Sequence, residues 1–135
     1  MIFEDKTINP NTLSPITLAF VGDAVYSLII REEQVLLHDM PADKLHKLSA
    51  QRVSAVSQYK AVMSIMDVLS DEELAVFKRG RNAVTKHTPK NASGRDYHYA
   101  TGFESLLGYL YLSRRTERIK ELYRLICEKE NSPAT

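Results

Sequence analysis

One cysteine, Cys127, and no tryptophan occur in 135 residues. A single thiol excludes an internal disulfide and gives no support to a zinc site. Its place in the helical stretch IKELYRLICEKE marks it as a buried thiol and suggests a reduced, cytoplasmic setting. No apolar run approaches the ~20 residues that span a bilayer. The N-terminal MIFEDKTINP carries acids where a secretory leader has basic residues. A soluble cytoplasmic protein is therefore expected. Alternating strand patterns, internal repeats and low-complexity tracts are also missing, which excludes sandwiches, barrels and solenoids. Net charge is only +1, so no global field draws the chain to nucleic acid.

What remains is helix after helix. Hydrophobic residues make up 44% and charged residues 26%, ordinary values for one domain with its own core. Ser14 and Pro15 provide a cap and a first position for a helix reaching about Leu37. Leu18, Val21, Val25, Leu28 and Ile29 form its stripe, yet Phe20, Ala24 and Ile30 lie outside it and are also apolar, so burial on most sides is expected. Asp43 is placed to cap the helix carrying Leu45 and Leu48. The segment 52–69 continues in helical period. Ser70 and Glu73 make a capping box, and Gly80 is expected to stop that helix. Residues 81–96, rich in Thr, Pro, Asn, Ser and Gly, read as a loop. Helices over about 97–112 and 116–130 follow, the last burying Ile119, Leu122, Tyr123 and Ile126. The tail 131–135 should fray. The expectation is an all-α single domain over 1–135.

Two apolar helices each carry one acid in their interior. Asp23 stands in LAFVGDAVYSLIIR, and Glu104 in YATGFESLLGYLYL. Each has a glycine near it, Gly22 and Gly108. A glycine inside a helix costs ~1 kcal/mol relative to alanine, so both positions suggest a close backbone approach. Small residues let helices cross tightly, which would bring the acids to one point. Two adjacent carboxylates repel unless a cation or shared proton intervenes. Oxygen ligands of this kind suit Mg²⁺, with Mn²⁺ as the alternative. The other reading leaves Asp23 in solvent or bonded to a neighbouring helix end.

Charge is also unevenly placed. Between 78 and 95 lie Lys78, Arg79, Arg81, Lys86, Lys90 and Arg95 with no acid, against twelve basic and seventeen acidic residues elsewhere. Asn82, Asn91 and His87 stand among them, able to bond phosphate or ribose oxygens. This segment reads equally as a nucleic-acid-binding element or as a solvated surface loop. His87 and His98 match no zinc spacing, and His46 reads as a surface residue.

These motifs resemble a family. LAFVGDAVYSLIIR is similar to the ribonuclease III signature helix, Leu-Glu-Phe-Leu-Gly-Asp-Ala/Ser-Val-Leu, and TGFESLLGYLY to its second acidic helix. KRGRNA, TPKN and FESLLGYLYL, in that order, resemble the Mini-ribonuclease III branch. The resemblance runs from about Leu18 to Leu125 and implies the helical ribonuclease III endonuclease fold. It implies that Asp23 and Glu104 are catalytic metal ligands. Ala19 and Thr101 stand where the large enzymes have two further acids, as is usual in the Mini branch. It further implies a Mg²⁺-dependent homodimer that cuts double-stranded RNA in maturing the large-subunit (23S) ribosomal RNA precursor. With no separate double-stranded-RNA-binding domain expected, the catalytic domain itself would hold RNA. A large-subunit ribosomal protein as helper stays open. So does a non-catalytic RNA-binding or ribosome-associated module on the same fold.

Overall fold

The structure, a computed structural model, describes residues 2–83 and 94–131. A single 3-10 turn at Pro10–Thr12 leads into α1 (Pro15–Leu37), followed by α2 (Ala42–Arg52) and α3 (Ala55–Ile65). A second 3-10 turn, Met66–Val68, precedes α4 (Asp71–Arg81), then come α5 (Gly94–Leu112) and α6 (Thr116–Asn131). Strands are absent among the described residues, so the all-α expectation holds.

The helix starts follow local chemistry. Ser14 accepts from the Thr17 amide, with Pro15 in the first turn. Ser70 and Glu73 close a reciprocal capping box on α4. Glu73 then does a second task, because its buried carboxylate takes two bonds of 2.8 Å from the Arg118 guanidinium and so ties α4 to α6. Burial raises its pKa, but Arg118 and the cap hold it below the usual carboxylate range. Asp43 does not cap α2; Pro41 precedes it and Asp43 lies inside the first turn, where it complements the helix dipole.

Helix α5 is the axis of the core. Phe103, Leu106, Leu107, Tyr109 and Leu110 are buried, and the helix packs against α1, α3, α4 and α6. Around it sit Leu18, Tyr26 and Ile30 of α1, Ala61, Val62 and Ile65 of α3, Phe77 of α4 and Ile119, Leu122 and Ile126 of α6. Tyr123 and Cys127 are half-buried rather than buried, beside Glu33 on α1. Arg114, in the left-handed region at φ 61°, turns the chain between α5 and α6. Its guanidinium donates to the carbonyls of Phe3, Glu4 and Lys6 and holds the N-terminal segment down.

Two further expectations are corrected. Gly80 lies inside α4 and does not end it, since a Cβ there would stand 2.9 Å from the Gly102 Cα and 2.4 Å from the Ser105 hydroxyl. The glycine serves a helix crossing instead of a stop. The buried face of α1 is also rotated from the predicted stripe. It runs through Leu18, Ala19, Gly22, Tyr26, Ile30 and Gln34, while Leu28 is 67% and Phe20 80% exposed. The buried face combines the large Leu18, Tyr26 and Ile30 with the small Ala19 and Gly22, while other apolar residues of the helix stay exposed.

Candidate active site

Helices α1 and α5 touch backbone to backbone. A Cβ on Gly22 would stand 1.7 Å from the Glu104 carbonyl oxygen, and one on Gly108 would stand 1.9 Å from the Leu18 carbonyl oxygen. Only glycine fits at either position, which answers why two helices tolerate it. The crossing brings the neighbouring side chains together. Asp23, next to Gly22, is exposed and hydrogen-bonded to the half-buried Glu104.

Burial, then a hydrogen bond donated to the Asp23 carboxylate and that group's charge, push the Glu104 carboxyl up to about 8, against a smaller opposing effect of Gln58. Among the described residues no lysine or arginine pairs with either carboxylate. The donor set, two carboxylates drawn together with no cationic side chain between them, fits a hard divalent cation. No cluster of three or more acid, histidine or cysteine ligands forms among the described residues, so waters and substrate oxygens would complete a coordination shell. Ala19 and Thr101 add nothing to it. Ala19 is buried, and the buried Thr101 hydroxyl is spent on the Tyr97 carbonyl at 3.0 Å.

Gln58, which the sequence reading passed over, reaches the pair from α3. Its Nε2 donates to the Val53 carbonyl at 3.0 Å and to Glu104 Oε2 at 3.4 Å, and its Oε1 is buried without a hydrogen-bond partner among the described residues. Glutamine inside a helix carries no sequence signal; only the contact with Glu104 exposes it.

The basic segment is not one continuous loop. Lys78, Arg79 and Arg81 form the last turn of α4, Asn82 is its cap residue, and Arg95 lies in the first turn of α5. Lys78, Arg79 and Asn82 are exposed. Arg81 is half-buried, its guanidinium 5.8 Å from both the Phe77 and Tyr99 ring centres. Arg95 is exposed and stacks 4.2 Å over Tyr59. Lys86, His87, Lys90 and Asn91 lie outside the described residues, as does the tail beyond Asn131. His46 is exposed on α2, as expected, and His98 is half-buried against Tyr97.

A family model, Ribonuclease III domain, matches residues 16–115, which include both acidic helices and their crossing. The chain belongs to the ribonuclease III domain family. A "Mini-ribonuclease 3" of Thermoanaerobacter sp. (strain X514) is 48% identical over 114 residues, 84% of this chain and 80% of that protein. One from Brevibacillus brevis is 44% identical over 119 residues, covering 88% and 89%. One from Streptococcus pneumoniae is 36% identical over 124 residues, covering 90% and 97%. The crystal structure of a Fusobacterium nucleatum protein superposes with a TM-score of 0.77 at 30% identity, covering 87% of this chain and 93% of that one. The fold is that of a ribonuclease III domain, and the chain is an endoribonuclease of the Mini-ribonuclease 3 type.

Proposed function

We propose that the chain is a divalent-cation-dependent endonuclease of double-stranded RNA whose metal ligands are Asp23 and Glu104. The observation that carries this reading is the carboxylate pair, set at the backbone contact of two helices with no cationic side chain paired to it among the described residues. When bound, Mg²⁺ (or Mn²⁺) lowers the pKa of a water and offsets charge on the phosphate. Asp23 and the deprotonated Glu104 would hold that ion from two different helices. Water adds to phosphorus, the P–O3′ bond breaks, and the products are a 5′-phosphate and a 3′-hydroxyl.

Duplex RNA offers a wide, shallow groove and phosphates more readily than base edges, so recognition by shape and charge is expected. Lys78, Arg79 and Asn82 supply exposed polar groups at the end of α4, and Lys86, His87, Lys90, Asn91 and Arg95 continue the same stretch of sequence. The working form in this reading is a homodimer. Phe20, Leu28, Leu36 and Leu37 of α1 are each at least 66% exposed. Beside them an apolar groove of about 530 Å³ opens between α1 and α6, lined in part by Val25, Leu28 and Tyr111. A twofold partner would cover both. The proposed substrate is the large-subunit ribosomal RNA precursor in the cytoplasm, with a large-subunit ribosomal protein as the candidate helper. No described helix is long and apolar enough to cross a membrane.

The test is cleavage of long duplex RNA with Mg²⁺ or with EDTA, by the native protein, Asp23→Asn and Glu104→Gln. Loss of cleavage in EDTA and in both variants, with RNA binding kept, supports the assignment. Wild-type cleavage by Asp23→Asn refutes it.

A further inference from the structure

Gln58 is 2% exposed, yet its side chain ends at the carboxylate pair. It stands one turn into α3, whose cap is Ser54, and its carboxamide is braced on the Val53 carbonyl at the corner between α2 and α3. Both directions of its Nε2 are used, on Val53 and on Glu104. Turning the amide over would set Oε1 against two acceptor oxygens, so hydrogen-bond chemistry fixes its orientation. Oε1 is then left as a buried acceptor with no partner among the described residues. An open buried acceptor is destabilising, and an apolar side chain of similar shape would remove the penalty. A glutamine kept there despite it, touching one of two carboxylates that suit a hydrated cation, has a use beyond packing.

We propose that Gln58 is the positioning residue of the metal centre: Nε2 holds Glu104 Oε2 in its binding orientation, and Oε1 accepts a hydrogen bond from a water of hydration on the bound cation. The inference rests on the cation-binding reading of Asp23 and Glu104. Mg²⁺ keeps several of its waters, and each is a strong donor needing an acceptor. Groups that orient a metal ligand in this way characteristically govern affinity and activity together. Gln58 does not touch the substrate in this scheme, so it acts on the turnover step and leaves the RNA contacts alone.

Two measurements test it. In the native protein, the side-chain amide nitrogen and proton signals of Gln58 are followed by NMR during a Mg²⁺ titration without RNA. They should shift and saturate together with Mg²⁺ binding, and should stay in place in Asp23→Asn. In parallel, Mn²⁺ affinity is measured by electron paramagnetic resonance on RNA-free Gln58→Met and Gln58→Leu. Binding should weaken by about 10–100-fold, with kcat on duplex RNA reduced, KM unchanged and the melting temperature at or above the native value. Gln58 signals that stay put while Mg²⁺ binds would overturn the proposal. So would native Mn²⁺ affinity in a variant that melts with the native protein. If both variants unfold, the native titration decides alone. Abolished Mn²⁺ binding in Asp23→Asn alongside native binding in Gln58→Met would sink this inference only. Native binding in Asp23→Asn would sink the cation reading and this inference together.

Discussion

Replacing Gly22 with alanine sets two effects against each other. Alanine favours a helix by ~1 kcal/mol, so on an open surface the change would stabilise α1. Here the new Cβ would meet the Glu104 carbonyl oxygen at 1.7 Å, and also lie 2.9 Å from the Gly108 nitrogen. Both are backbone atoms and cannot rotate away. Reaching an ordinary contact of about 3.4 Å requires α1 and α5 to move apart by more than an ångström, unpacking Leu18 and Leu107 along the seam. Overpacking of this kind costs about 1–3 kcal/mol, and a backbone-to-backbone clash belongs at the upper end. The net expectation is a loss of about 2 kcal/mol, or roughly 6–10 °C in melting temperature for a chain of this size. Thermal unfolding followed by circular dichroism measures it. Gly108→Ala should cost a similar amount, because its Cβ meets the Leu18 carbonyl oxygen at 1.9 Å. The double variant should lose less than the sum, since helices already wedged apart at one glycine make room at the other. Cleavage should fall further than stability in each, as Glu104 travels with α5. A Gly22→Ala protein that melts at or above the native temperature would refute the close crossing.

Further expectations concern charge and assembly. In the metal-free protein Glu104 keeps its proton to about pH 8, whereas the unfolded chain releases it near 4.5, so this group's stabilisation is full below about 4.5 and is lost as pH rises to 8. The urea midpoint of the native protein, compared with Glu104→Gln at pH 5 and pH 8, should show that decline, and a native protein with the same pH slope as the variant would contradict it. Changing Lys78, Lys86 and Lys90 together to alanine should raise KM for duplex RNA more than it lowers kcat, and should flatten the salt dependence of binding. An unchanged salt slope in filter-binding assays would place the RNA elsewhere. Light scattering should give about twice 15.4 kDa at micromolar concentration, and a monomer mass would remove the dimer.

Much of this was legible in the sequence where the signal is local. Ser14 with Pro15, and Ser70 with Glu73, act on amides within one turn, and the structure keeps both starts. Gly22 and Gly108 announced a close approach because glycine is unfavourable in a helix without one. Where contacts are long-range, local reasoning went astray. Gly80 looked like a stop because nothing near it in sequence shows Gly102 and Ser105 on the opposing helix. The stripe through Leu28 was misplaced because apolar side chains line an exposed face of α1 as well as its buried one. Arg81 and Arg95 counted as free positive charge, but aromatic rings of α3, α4 and α5 engage both guanidinium groups. Gln58 was silent because its partners are 5 and 46 residues away.

The contact at Gly22 and Gly108 also has a mechanical meaning. Helices α1 and α5 are joined along a long seam, from the Ser105 hydroxyl on the Pro15 carbonyl to the Tyr26 ring against Phe103, and the two glycines are where that seam is tightest. Asp23 and Glu104 are attached at that tightest stretch, one residue and four residues from the glycines that form it. With no side chain between the two backbones to repack, the spacing of the two carboxylates is set by main-chain contact and is insensitive to side-chain rearrangement elsewhere in the core.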